Sequence, residues 1–345
     1  MAKKKEKLNY PALTRALAEK GPGRLYCLYG QEDYLRELFL KEIKKLCLPG
    51  GDGDFDYHRF DGPPVDMAEL GDAVNAMPFT SERTLTEVRG FDINKCREAD
   101  AAMLAEVLAD IPDYATVVFV QDADYEPDWR LKAAKSIKKH GEAVNFTSQE
   151  QGQLLPWIRR RFSALGKTIE PDAAAQLVYM SGGLMSGLIP EIEKIASSVE
   201  GGVVTPDDVS RIANRVPEAR IFDMTDCLAA KDYDGAARLL ADLIASGEEP
   251  IMTIAVIGQQ MRRLYAARLA IQEHLGASYV REVCGIEYDF IINKLMAAAA
   301  GFSLAQLGNA VRLCAETDYA MKSSPTDDAD LLKELFVRLA AGDAE

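Results

Sequence analysis

Leu25-Tyr26-Cys27-Leu28-Tyr29-Gly30-Gln31-Glu32-Asp33-Tyr34-Leu35 changes its periodicity at the glycine. Leu25 to Tyr29 is a short apolar run, which predicts a buried strand. From Asp33 to Leu46 the apolar residues Leu35, Leu38, Phe39 and Ile43 return at helical spacing. A strand, a glycine turn and a helix open a βα unit, and the alternation continues downstream. Phe55 to Phe60 alternates and predicts a strand. Asp66 with Glu69 reads as a capping box, opening a helix through Leu70, Val74 and Met77 that Pro78 stops. Leu85 to Val88 reads as a strand and Ala99 to Leu108 as a helix. Thr116-Val117-Val118-Phe119-Val120 is an uninterrupted β-branched and aromatic run, the clearest strand of all. Trp129 to Lys139 is expected to be helical, and Ala143 to Phe146 to be the last strand. Strands divided by helices imply an α/β fold, a mostly parallel sheet with helices on both faces.

After residue 150 the texture changes. Gln153 to Phe162, Pro171 to Met180 and Leu184 to Val199 read as helices. Thr205-Pro206-Asp207-Asp208 reads as a helix start with proline at the first position. From Glu218 onward the pattern is all helix: Ile221 to Ala230, Tyr233 to Ala245, Pro250 to His274, Asp289 to Ala299, Leu304 to Lys322 and Asp328 to Leu339. Leu239, Leu240, Leu243 and Ile244 make one of these apolar on two sides, as in a packed bundle.

The chain has 345 residues, of which 48% are hydrophobic and 27% charged. Those proportions are globular, and the length calls for two or three domains. No apolar run reaches membrane-spanning length. The start, Met1-Ala2-Lys3-Lys4-Lys5-Glu6-Lys7, is followed by no apolar segment. It does not read as a signal peptide, so a cytoplasmic protein is expected. The formal net charge is −14, from 54 acidic and 40 basic residues. A chain that wraps nucleic acid by itself is usually more basic, so any such contact is local or shared with other subunits. Cys27, Cys47, Cys96, Cys227, Cys284 and Cys314 form no CxxC pair and read as free, packed thiols. His58, His140 and His274 are scattered, so no zinc motif is present.

The segment after the first strand lacks the chemistry of a phosphate loop. Such a loop needs successive glycines and a lysine beside a serine or threonine. Here Gly30 stands alone, and Glu32 and Asp33 would repel phosphates while suiting the helix dipole. A structural turn is expected. Asp122 and Asp124 follow the strongest strand and, with Asp128, imitate a magnesium site. A solvated loop with a helix cap at Asp128 is the blander expectation. No GxSxG elbow and no histidine with a catalytic neighbour is present. Ala76-Met77-Pro78-Phe79 places large apolar groups at a helix end. By pattern it is either a docking tip or a cap on the core. Lys132, Lys135, Lys138 and Lys139 follow one helix and Arg159, Arg160 and Arg161 another, as phosphate contacts or as solvated surface.

In order and spacing, several segments together resemble the delta subunit family of bacterial DNA polymerase III, a clamp-loader component. They are Leu28-Tyr29-Gly30-Gln31-Glu32-Asp33-Tyr34-Leu35 and Pro78-Phe79 with Arg83. Leu155-Pro156-Trp157-Ile158 with Gly182, Leu188, Glu191 and Lys194 follows, then Asp318-Tyr319-Ala320-Met321-Lys322 with Leu332 and Glu334. The resemblance implies an AAA+-like domain over 1–148 that has lost its phosphate loop. It implies a helical lid over 149–214 and a helical collar over 215–345 through which loader subunits assemble. It further implies a protein that binds and opens the sliding clamp (beta) for loading onto primed DNA. Its partners would be loader subunits of the tau/gamma and delta prime types. No cofactor, metal or catalytic residue of its own is implied, since ATP is hydrolysed by partners. DNA-directed DNA polymerase (nucleotidyltransferase) activity belongs to the complete assembly.

By motif, the family's clamp-binding wedge falls on Met77, Pro78 and Phe79, with Ala76 alongside; Pro78 stands where the family often has leucine. Lys135, Lys139 and Arg160 are the candidate DNA contacts. The competing readings are an active AAA+ ATPase, a metal-dependent nuclease or phosphotransferase using Asp122, Asp124 and Asp128, and an adaptor of another ATPase assembly.

Overall fold

Parallel strands buried on both faces read as near-continuous apolar and β-branched runs, and the strongest run is of this kind. In the computed structural model, which describes residues 9–51, 55–62, 64–286 and 289–341, Ala115–Val120 is buried throughout. The lysine-rich start lies outside the described residues. The chain divides into two compact units. The first ends at Gln149 and takes in Leu184–Ser186; the second holds Glu150–Gly183 and the chain from Gly187 on.

The first unit begins with a helix that the sequence pattern did not reveal, α1 (Tyr10–Lys20), capped by the Asn9 side chain. Then come β1 (Leu25–Tyr29), α2 (Asp33–Cys47), β2 (Tyr57–Asp61), α3 (Met67–Asn75) and β3 (Thr84–Arg89). A short 3-10 turn leads to α4 (Glu98–Ala109), β4 (Ala115–Val120), α5 (Lys132–His140) and β5 (Glu142–Asn145). The five strands are all parallel, in the order β2-β3-β4-β1-β5. Leu25, Cys27, Tyr29, Val117 and Phe119 face one way and pack with Leu70 and Val74 of α3, Leu104 of α4 and Ile137 of α5. On the other face, the Tyr26 ring stands edge-on to Phe39 of α2, centroids 6.0 Å apart. Helices therefore cover both faces, the AAA+-like arrangement that the resemblance implies. Burying rings such as Phe39 and Phe119 completely contributes about 2–3 kcal/mol each.

Several boundaries differ from expectation, three of them at residues that bear on the site. The alternating segment Phe55 to Phe60 enters the sheet only at Tyr57, leaving Phe55 and Asp56 in a turn. The helix expected to reach Met77 ends at Asn75, because Ala76 turns extended and the Asn75 carbonyl accepts the Tyr114 hydroxyl at 3.3 Å. Asp128 does not cap the next helix, which starts after Leu131. Its carboxylate is instead taken by the Arg130 guanidinium at 2.7 and 2.9 Å.

The second unit contains α6 (Gln151–Ala164), β6 (Thr168–Ile169), α7 (Pro171–Ser181), α8 (Met185–Ser198) apart from its first two residues, β7 (Val203–Val204) and α9 (Pro206–Ile212). The small β6–β7 ladder was not legible as a strand pair. Thr205 and Asp208 form a full capping box at α9. The remainder is helical: α10 (Pro217–Ala229), α11 (Tyr233–Ala245), α12 (Pro250–Gln272), α13 (Gly276–Cys284), α14 (Asp289–Ala299), α15 (Leu304–Ser323) and α16 (Asp328–Ala341). The long α12 buries Ile254, Ile257, Met261 and Leu264 and packs against α13, α14 and α15. Lys294 ties α14 to α7 and α10. Its ammonium lies 2.9 Å from the Tyr179 hydroxyl and 3.1 Å from both Asp223 and Asp226.

Candidate functional site

At the tip between α3 and β3, the exposed side chains are the apolar ones. Met77 is 78% exposed and Phe79 84%, while Ala76 and Pro78 are half-buried. The core-cap alternative fails on that exposure. Large apolar groups left in water call for an explanation.

The backbone beneath them is held firmly. Asp56 is buried at 2% exposure, yet its carboxylate accepts at least four hydrogen bonds. The donors include the N–H of Phe79 at 2.5 Å, of Thr80 at 2.7 Å and of Ser81 at 2.6 Å, and the Thr80 hydroxyl at 3.0 Å. Burial disfavours its charge, but the donors from Phe79, Ser81 and Thr80 outweigh that and hold the carboxyl down at about 2. The Asp56 carbonyl in turn accepts the Leu85 N–H at 2.9 Å, which fixes it to β3. On the far side of the loop, the Arg83 guanidinium reaches Ala115 O and Thr116 Oγ1 of β4, both at 3.4 Å.

Sequence reading missed a second ring. Phe55 is 79% exposed, and its ring stands edge-on to Phe79, centroids 6.3 Å apart. Alternation made Phe55 look like a strand residue. An aspartate following an exposed phenylalanine carries no sequence signal of its own.

The turn after β1 has a structural cause. Gly30 has φ +111°, and a Cβ there would lie 2.5 Å from Asn145 Oδ1 and 2.6 Å from Phe146 O. Only glycine lets β5 pass so close. Glu32, just before α2, is completely buried. Its carboxylate accepts the N–H of Met185, a residue of the same unit, at 3.3 Å. Burial pushes this carboxyl up to about 7, against the lowering effect of that N–H. Where a phosphate loop would present backbone donors and a lysine, this chain has a buried acid.

Behind the sheet edge lies a buried ionic group. Glu87 of β3, with no exposed side-chain surface, meets Lys44 at 2.9 Å, the Tyr57 hydroxyl at 2.7 Å and the Arg89 guanidinium. Burial raises its pKa, but Tyr57, Lys44 and Arg89 together bring it below the usual range.

Lys135 and Lys139 are both exposed on one face of α5, beside Lys138, whose ammonium lies 5.5 Å from the Trp129 ring. Arg160 is exposed on α6 of the second unit, next to Arg161, which stacks 5.3 Å from Trp157. Asp122 and Asp124 are exposed, and Asp128 is occupied by Arg130. Among the described residues no group of three His, Cys, Asp or Glu is arranged to hold a metal ion.

A sequence model described as DNA polymerase III, delta subunit matches residues 26–147, and one described as its C-terminal domain matches 218–339. The chain belongs to the DNA polymerase III delta subunit family. It is 28% identical to DNA polymerase III subunit delta of Bacillus subtilis (strain 168), over 91% of each chain. It is 23% identical to a protein of Aquifex aeolicus (strain VF5) named "Probable DNA polymerase III subunit delta", over 91% of this chain and 90% of that one. A solved structure of the Bacillus subtilis DNA clamp loader delta protein superposes with a TM-score of 0.51 at 24% identity. It covers 96% of this chain and 99% of the other, a likeness of fold. The delta-family match over 26–147 includes the whole exposed tip, with Phe55 and Asp56 as well as Phe79. Among the described residues no single helix is long and apolar enough to cross a membrane.

Proposed function

We infer that this delta-family chain is the clamp-binding subunit of a clamp loader, and that Met77, Pro78 and Phe79, with Ala76 beside them, form its docking wedge. The observation that carries the reading is the exposure of Met77 and Phe79, with the backbone from Phe79 to Ser81 pinned by Asp56. A rigid, solvated aromatic tip suits a hydrophobic pocket on a partner. In this reading the wedge enters the sliding clamp and favours an opened ring interface, so that the ring passes onto primed DNA. ATP is hydrolysed by partner subunits, and this chain contributes no catalytic residue. The buried Glu32 and the lone Gly30 support that assignment, because neither suits a triphosphate. Residues 149–214 act as the lid and 215–345 as the collar that joins tau/gamma and delta prime type subunits. Lys135, Lys139 and Arg160 contribute a limited basic surface to DNA held by the assembly. Binding of the purified chain to the sliding clamp of its own organism tests the reading, and loss of that binding on Phe79→Ala locates the wedge.

A further inference from the structure

Asp56 is an unexpected residue to find under a surface loop. A turn needs no buried acid, and desolvating a carboxylate is unfavourable unless donors surround it. Here three successive backbone N–H groups and a hydroxyl converge on one side chain. Its own carbonyl is bonded to β3 through Leu85. The backbone of Phe79 is therefore fixed where its ring is most exposed. The neighbouring residue, Phe55, meets that ring edge-on. One dipeptide thus both anchors the tip and supplies a second ring beside it.

We propose that Asp56 is the positioning residue of the docking tip, holding Phe79 so that its ring and the ring of Phe55 meet the sliding clamp as a preset pair. The proposal rests on the wedge reading above and adds a cause for its geometry. A loop ordered before docking loses less conformational freedom on binding, and that difference appears as affinity. Asp56 need not touch the partner to have this effect.

The test is a titration of the full chain with its sliding clamp, for wild type, Phe55→Ala, Phe79→Ala, Asp56→Asn and the double variant Asp56→Asn/Phe79→Ala. Unfolding midpoints and amide exchange at Phe79, Thr80 and Ser81 are measured beside it. Asp56→Asn is expected to weaken binding about tenfold and to speed exchange at those amides. In the Phe79→Ala background it should have little further effect, because its action passes through that ring. Phe55→Ala should weaken binding several-fold. Should Asp56→Asn fail to fold, Thr80→Val removes a single donor and is expected to weaken binding about twofold to threefold. Weakened binding on Phe79→Ala, with Asp56→Asn or Thr80→Val unchanged, overturns the positioning role and leaves the wedge standing. An equal loss from Asp56→Asn in both backgrounds overturns it too. Phe79→Ala binding like wild type removes the wedge itself, and the proposal with it.

Discussion

The ring of Phe55 stands edge-on to the ring of Phe79, their centroids 6.3 Å apart and their planes at 82°. Both rings face water, although aromatic pairs of this geometry ordinarily stabilise cores and interfaces. Beneath them Asp56 binds the backbone of one and adjoins the other. The pair is thus an exposed apolar surface on a stiff support, the arrangement expected of a docking element.

Gly30 makes the first prediction. Its φ of +111° and the closeness of Asn145 and Phe146 leave no room for a methyl group. Gly30→Ala should cost about 2–3 kcal/mol or more in urea unfolding. An unchanged midpoint would show that the turn relaxes freely.

Glu87 makes the second. Its charge is buried against Lys44, Tyr57 and Arg89. Glu87→Ala leaves those donors facing an empty site and should destabilise the chain by about 2–3 kcal/mol. Lys44→Met, which strands part of the same charge, should destabilise in the same direction. A chain of wild-type stability on both substitutions would mean that solvent screens the group.

Glu32 predicts a pH dependence. Its carboxyl sits at about 7 in the folded chain against an ordinary 4.5, so the folded state holds the proton more tightly. Its contribution is full below about pH 4.5 and is lost as pH rises through about 7. Glu32→Gln removes this dependence and should gain on the order of 2 kcal/mol over wild type at about pH 8, with little difference at about pH 4.5. Denaturant titrations at both pH values check it. Parallel pH profiles for the two chains would contradict it.

The sheet was largely legible because its cause is local. Thr116 to Val120 is β-branched or aromatic at every position and lies in the middle of the sheet, and Gly30 marks the turn after β1. The candidate tip was visible only as apolar residues near Pro78. The backbone that carries Phe79 is held by Asp56, 23 residues earlier in the chain, and no periodicity reports such a contact. The helix end was misplaced for a similar reason, since Tyr114 fixes it from another part of the unit. The α13 helix went unseen because it is short and starts at a glycine, Gly276, which reads as a break.

The basic residues predict a salt-dependent effect. In the assembled loader, Lys135→Ala with Lys139→Ala should lower affinity for primed DNA and reduce the slope of log affinity against log salt by about 2. Clamp binding through Phe79 should change little between ~50 and ~200 mM salt, since apolar contact is not screened. Equal salt sensitivity of the two interactions would contradict that division of roles.

The most direct test of the account is the affinity of the purified chain for its own organism's sliding clamp, wild type beside Phe79→Ala. The account predicts tight binding by the wild type, weakened by about 2 kcal/mol or more, roughly thirtyfold, in the variant. Equal affinities, with both chains folded, would contradict it.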